Sequence, residues 1–305
     1  MIFLRILLLA AHLAGMNFAA AGPLAAIWID ARGAKQGAPS LFAFAKAVTW
    51  SSLAAFVAAM LLGGLNGLAI WAGGEWQFFA ALGRFWDTKI FFGWWELAFY
   101  IACVGGYLFW RTLRPAATRW ERIISRFLLL LAGTNLLYHF PPLFAVIQML
   151  AREGAGEGAT IDSSEFRSLM ATPHVIWLSV HFLLASIAVT GLMTARLAFG
   201  RLDEAETDLV VSRGGMSALI ATLSQVPIGA AFTLSLPITE LRNLMGSSSI
   251  ATLTFVVAII SAFWLMHVLA ITTFFQRTKR QVNQALATLL GVILLMTAAM
   301  LASRL

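Results

Sequence analysis

Six ionisable side chains lie inside long apolar stretches of the sequence or at their edges, and their types suit an iron centre or proton transfer. They are His12, Glu96, His139, His174, His181 and His267. Histidine supplies a strong axial ligand for a b-type haem iron, and intramembrane carboxylates and histidines carry protons. The single cysteine, Cys103, excludes a disulfide framework and a thiolate metal site. The histidines are therefore the main candidate ligands.

Four of these residues, His12, Glu96, His139 and His181, are predicted to lie at one depth. With a rise of about 1.5 Å per residue, each lies roughly 12–17 Å inside the same end of its apolar segment. This coincidence predicts one buried polar site. The alternative for each histidine is a hydrogen bond to a neighbouring helix, worth about 1 kcal/mol. Glu96 is a candidate proton donor, iron ligand or propionate neighbour, or a protonated acid bonded between helices. His174 is a candidate interfacial residue or propionate partner.

The composition indicates which elements must position these residues. Hydrophobic residues make up 60% of the 305 residues, and charged residues only 11%. A soluble domain is closer to half apolar and a quarter charged, so a soluble enzyme, a disordered chain and a nucleic-acid binder are excluded. The net charge of +7 is less informative in such a chain than the distribution of its charges. The sequence predicts a polytopic membrane protein.

A helix needs about 20 apolar residues to cross a bilayer, and the sequence contains enough for eight such helices. The predicted spans are 2–29, 42–72, 88–112, 123–150, 173–199, 214–236, 243–275 and 282–303. We expect an all-α fold and a single membrane domain over 1–305, with core helices in 2–199 and C-terminal helices in 214–303. Pro141-Pro142 and Pro227 are expected to interrupt spans four and six. No internal repeat is evident, and the glycine-containing connection 151–172 is expected to be flexible.

Basic residues predict the orientation of these spans. The odd-to-even connections hold Arg32, Lys35, Arg111, Arg114, Arg119, Arg122, Arg196, Arg201, Arg213, Arg277, Lys279 and Arg280. The other side holds the smaller set of Arg5, Arg84, Lys89, Arg152, Arg167, Arg242 and Arg304. The positive-inside rule therefore places both termini on the outer, periplasmic side of a bacterial inner membrane. An alternative for the N-terminus is a signal peptide cleaved after Ala21, which would remove His12.

Four stretches of the sequence resemble subunit I of the cytochrome bd quinol oxidases. The first is His12-Leu13-Ala14-Gly15-Met16-Asn17, leading to Gly22-Pro23-Leu24. The second comprises Trp95-Glu96 with the aromatic run to Trp110, and Gly133-Thr134-Asn135-Leu136. The third is Val180-His181 with Ala185-Ser186 and Val189-Thr190-Gly191-Leu192-Met193. The fourth is Leu241-Arg242-Asn243-Leu244-Met245-Gly246. The resemblance covers about residues 1–260 in the family's order.

The resemblance implies a four-helix haem-binding core and axial ligands at named positions. His181 and Met245 would hold a low-spin haem b, with Arg242 near a propionate. His12 would serve a second haem, which in the family is high-spin and reacts with oxygen. Here His139 or Glu96 could lie opposite His12, and a bis-histidine pair would close that iron to oxygen. The family's pairing with a second, related membrane subunit implies a similar partner.

The chain also departs from the family pattern. The long connection that oxidises quinol in the family is reduced here to about 236–240, and the family's ninth helix is absent from the sequence. We therefore expect a b-type cytochrome with about two haems in respiratory electron transfer, its electron donor being quinol or a periplasmic redox protein. One alternative is an oxygen-reducing quinol oxidase with Glu96 as proton donor. Another is a haem-free helical transporter or structural subunit.

Overall fold

The computed structural model describes residues 2–114, 118–154 and 158–304, and within them the fold is all-helical, with no strand. Eight helices are long and apolar enough to cross a membrane. They are α1 (Ile2–Gln36), α2 (Pro39–Ala72), α4 (Phe91–Leu113, continuing a π-helical turn Trp86–Ile90), α5 (Arg119–Arg152), α7 (Pro173–Ala198), α8 (Glu204–Leu234), α10 (Ser249–Phe274) and α11 (Lys279–Ala302). Three short helices, α3 (Trp76–Gly83), α6 (Ser163–Met170) and α9 (Ile238–Arg242), lie between them. The prediction of eight spans is confirmed.

Several helices extend beyond their predicted spans because polar residues cap them. α5 begins with a capping box, in which the Glu121 N–H donates to Thr118 Oγ1 over 3.3 Å and the Thr118 N–H donates to the Glu121 carboxylate over 2.6 Å. Asp203 caps α8 at Glu204, ten residues before the predicted start at 214. Both α5 and α8 run through their internal prolines, so the expected interruptions are absent.

The helices form two four-helix units with the same internal arrangement. In the first unit α1 packs on α2 and α5, and α2 and α5 each contact α4. In the second unit α7 packs on α8 and α11, and α8 and α11 each contact α10. The units meet through α1 and α7, and the contact of α1 with α11 matches that of α7 with α5. The two units therefore repeat one pattern of helix contacts, which the sequence did not predict.

The sequence trace of this repeat is small because few positions are constrained. His12, Ala19, Gly22 and Ala26 recur at the same spacing as His181, Ala188, Gly191 and Ala195. All four alanines are almost fully buried. A Cβ on Gly22 would lie 2.6 Å from Ser52 Cβ in α2, and one on Gly191 would lie 2.4 Å from the Gly214 carbonyl oxygen in α8. Small residues thus allow the first two helices of each unit to approach closely.

A buried ion cluster joins α1, α4 and α5 near the membrane side opposite the two termini. Asp30 is fully buried and accepts from Arg111 Nη2 at 3.0 Å and from Arg126 Nε at 2.7 Å. Arg126 Nη2 also donates to the Asp30 carbonyl oxygen at 3.1 Å. Two guanidinium groups therefore offset one buried carboxylate and hold three helices together.

The connection after α5 packs on the start of α4 over the described residues 158–172, and its expected flexibility stays a prediction. The Ile161 N–H donates to the Arg84 carbonyl oxygen, and Thr88 Oγ1 donates to the Ile161 carbonyl oxygen. Phe166 of α6 packs edge-on against Phe85, with ring centroids 5.7 Å apart. Backbone N–H groups of Glu165 and Ser164 donate to Asp162 and lower the pKa of its carboxyl group. The segment therefore covers the ends of α4 and α5.

Candidate functional site

His12 lies in α1 against α2, and a backbone carbonyl of α2 determines which of its ring nitrogens carries the proton. Nδ1 lies 2.7 Å from the Ala59 carbonyl oxygen. Because a carbonyl oxygen only accepts, Nδ1 carries the proton and the lone pair is on Nε2. A Cβ on Gly63 would come within 2.8 Å of the His12 ring, so glycine is required at that position of α2. A hydrogen bond from Nδ1 to a carbonyl oxygen orients the ring of histidines that bind a metal through Nε2.

His181 occupies the equivalent place in the second unit, in α7 against α8. Gln225 Nε2 donates to the His181 carbonyl oxygen at 3.3 Å, and a Cβ on Gly229 would lie 4.0 Å from the ring. Gln225 and Gly229 have the same four-residue spacing as Ala59 and Gly63. His181 Nδ1 is buried and has no hydrogen-bond partner in the part of the chain that the structure describes. The two histidines thus lie on matching helices and face matching glycines.

Glu96 and His139 meet at the surface of the α4–α5 pair. Asn135 Nδ2 donates to Glu96 Oε2 at 2.8 Å, and His139 Nε2 lies 3.7 Å from Glu96 Oε1. The Glu96 side chain is 32% exposed and the His139 side chain 44% exposed. Over the described residues, no hydrogen bond or ion pair joins either side chain to His12. The structure therefore joins two of the four residues predicted to share one site, and gives His12 and His181 separate surroundings.

Arg242 is the last residue of α9, and Met245 lies in the π-helical turn Asn243–Ser247 that leads to α10. Asn243 Nδ2 donates to the Ser303 carbonyl oxygen at 2.9 Å, and Gly246 has a φ of 132°, a conformation that favours glycine. The Met245 side chain is 60% exposed, and Arg242 is exposed as well. Among the described contacts, none connects Met245 to His181. The geometry gives His12 and His181 more support as ligands than Met245, whose role remains a prediction.

Sequence reasoning missed a polar cluster at the membrane side of the two termini. Arg152 Nε lies 3.4 Å from Glu240 Oε1, and Arg152 Nη1 lies 3.2 Å from His174 Nε2. His174 is only 7% exposed, and its Nδ1 lies 3.5 Å from Ser235 Oγ. Arg152 and Glu240 were not predicted because both lie at the ends of apolar segments, where charged residues are ordinarily solvated. His267, by contrast, is exposed beside Trp264 in α10.

His12 and His181 are candidate ligands that stand singly, not in a cluster of metal-binding side chains. In the described residues no group of three or more His, Cys, Asp or Glu side chains could hold a metal ion. A haem iron takes one or two axial ligands from the protein, because the porphyrin supplies the other four. His12 offers a free Nε2 with its other nitrogen anchored, and His181 has an orphaned buried nitrogen. Both histidines fit the role of axial ligand.

Comparison with known proteins does not assign the chain to a family. No protein-family model, curated protein or solved structure matches the chain. The resemblance to cytochrome bd subunit I therefore stays a prediction made from short motifs.

Proposed function

We propose that this protein is a membrane-embedded b-type cytochrome of the cytochrome bd superfamily that transfers electrons in a respiratory chain. The observation that supports this most directly is that each unit places a histidine opposite a glycine of the next helix, His12 against Gly63 and His181 against Gly229. Two equivalent histidines within the bilayer are what a relay between two haems requires, since each centre needs its own strong ligand. A bacterial inner membrane, a second membrane subunit and a quinol or periplasmic redox partner belong to the same proposal.

The chain's own residues would position and tune such centres. A bound haem b supplies reversible one-electron chemistry at its iron. His12 would ligate through Nε2 while the Ala59 carbonyl oxygen holds its ring orientation through Nδ1. His181 would ligate from α7 in an environment that excludes water. Arg242, Arg152 and His174 lie toward the membrane side of the termini, where positive or hydrogen-bonding groups could bind propionates. Glu96 and His139 form an acid–base pair that could exchange a proton.

The test is the spectrum of the purified protein in detergent. We expect sharp b-type bands in the difference between dithionite-reduced and oxidised protein, and about two haems per chain by pyridine haemochrome assay. Folded protein without haem would overturn the proposal. Addition of carbon monoxide distinguishes a closed electron relay, which leaves the bands unchanged, from the oxygen-reducing alternative, which shifts them.

Histidine variants assign the ligands. His181→Ala and His12→Ala should each remove one haem and leave the other, because the two pockets lie in different helical units. His267→Ala is the matched control, since it removes an exposed histidine of α10. Unchanged haem content in both pocket variants would end the assignment. Met245→Leu should lower the potential of the His181 centre if the thioether is its second ligand.

One observation favours a second candidate, a haem-free transporter. Many transporters consist of two structural repeats, and the two helical units here share one pattern of helix contacts. In a transporter, Glu96 and His139 would be the proton-coupling pair. The absence of haem in a folded preparation, together with proton-dependent uptake in vesicles, would support this candidate.

A further inference from the structure

The two histidines that lie opposite glycines differ in what holds Nδ1 of the ring. His12 Nδ1 lies 2.7 Å from the Ala59 carbonyl oxygen. His181 Nδ1 is buried and has no hydrogen-bond partner among the described residues. Gln225 takes the place of Ala59 in the second unit, but its side-chain amide donates to the His181 carbonyl oxygen instead. One imidazole is therefore anchored through Nδ1, and the other is not.

This difference follows from how closely each ring packs on the facing helix. A Cβ on Gly63 would lie 2.8 Å from the His12 ring, whereas one on Gly229 would lie 4.0 Å from the His181 ring. The His12 ring is thus pressed against α2 and reaches a carbonyl oxygen there. The His181 ring stands further from α8, and the space beside Gly229 is wide enough for a small side chain.

The anchor changes the strength of a histidine ligand. When Nδ1–H donates to a carbonyl oxygen, Nε2 becomes a stronger electron donor to a bound metal. A stronger donor stabilises the oxidised iron of a haem relative to the reduced iron and so lowers its reduction potential. Hydrogen bonding around the axial ligand is one of the means by which a protein sets that potential. On this ground His12 is the stronger ligand and His181 the weaker one.

Nearby charges are paired in both units. Arg5, two turns before the first histidine, forms an ion pair with Glu75. Arg152, which contacts His174 two turns before the second histidine, lies 3.4 Å from a Glu240 carboxylate oxygen. Each arginine therefore has a carboxylate that offsets its charge. The hydrogen bond at Nδ1 is the contact that distinguishes the two rings.

We infer that the two centres have unequal potentials, with the higher potential at His181, so that the first electron to enter the protein comes to rest there. This inference rests on the proposed function, because it requires a haem at each histidine. The exchange between the centres balances: one electron leaves the reduced iron at His12 and reduces the oxidised iron at His181, and no bond or proton changes. Electrons therefore pass from the first helical unit to the second.

Spectroelectrochemistry of two purified variants tests this order. His12→Ala retains the centre at His181, and His181→Ala retains the centre at His12. At the same applied potential, the ratio of reduced to oxidised haem should be about tenfold higher in His12→Ala, which corresponds to about 59 mV for a one-electron couple. Two haems of equal potential, or the reverse order, would refute this inference alone. Folded protein without haem would refute the proposed function and this inference with it.

A second pair of variants tests the hydrogen bond itself and does not require an alanine variant to fold. In the otherwise unmodified chain, Gly229→Ser places a hydroxyl oxygen where it can accept from His181 Nδ1. We expect the potential of the His181 centre to fall and the gap between the two haems to narrow. Gly229→Ala is the matched control, because it adds the same Cβ without an acceptor and should preserve the gap. Equal shifts in both variants, or loss of a haem from both, would overturn the inference.

Discussion

At the scale of single residues, the positions opposite the histidines matter as much as the histidines themselves. Gly63 leaves the space that the His12 ring occupies, and the Ala59 carbonyl oxygen determines which ring nitrogen keeps its lone pair. An aliphatic side chain at position 63 would turn the imidazole away from that carbonyl. The ligand role proposed for His12 therefore depends on a glycine and a backbone carbonyl that contribute no ligand atom.

Gly63→Ala tests this dependence. The new methyl group would come within 2.8 Å of the His12 ring, so we expect the ring to be displaced and one haem to be lost or weakened. Gly67→Ala is the control, because a Cβ at that position of α2 meets nothing within 4 Å. Haem content and thermal stability should be measured together. Full haem occupancy in Gly63→Ala would show that His12 is not a ligand in this orientation.

At the scale of helices, the buried Asp30 cluster determines how α1, α4 and α5 meet. Removing its charge leaves Arg111 and Arg126 without compensation at the end of the bundle. We expect Asp30→Asn to lower the free energy of unfolding by about 3–5 kcal/mol, the usual cost of breaking a buried ion pair. Thermal unfolding in detergent measures this change.

A matched exposed pair provides the control for that prediction. Asp208 lies 2.6 Å from Arg277, but its side chain is half exposed. Asp208→Asn should therefore cost less than about 1 kcal/mol. Similar losses of stability in the two variants would show that the Asp30 cluster is not a specific helix clamp.

At the scale of the whole molecule, eight alternating spans place both chain ends on one side of the membrane. Arg5 near the start of α1 pairs with Glu75, just after the end of α2, so these two helices run in opposite directions. The distribution of basic residues further predicts that this side faces away from the cytoplasm. As the first and fifth of eight alternating spans, α1 and α7 run in the same direction, so His12 and His181 approach from the same side.

Reporter fusions test this orientation. A phosphatase that is active only outside the cytoplasm should be active when fused after residue 305 or after residue 154. It should be inactive after residue 36 or after residue 202, in the connections rich in arginine and lysine. The opposite pattern would invert the predicted topology and place the His12 and His181 pockets in the cytoplasmic half of the bilayer.

The sequence by itself determined the number and approximate limits of the spans, because twenty or so consecutive apolar residues can only be buried in lipid or protein. It also identified His12, Glu96, His139 and His181 as exceptional, since ionisable groups are rare at that depth. The tertiary structure alone decided which of them meet. It paired His139 with Glu96, placed His12 and His181 against equivalent glycines, and joined Asp30 to two arginines from distant helices. Lipid-facing positions accept almost any apolar residue, so the repeat retains a sequence trace only where helices touch closely, at residues such as Gly22 and Gly191. The contact pattern shared by the two units could therefore not be predicted from the sequence.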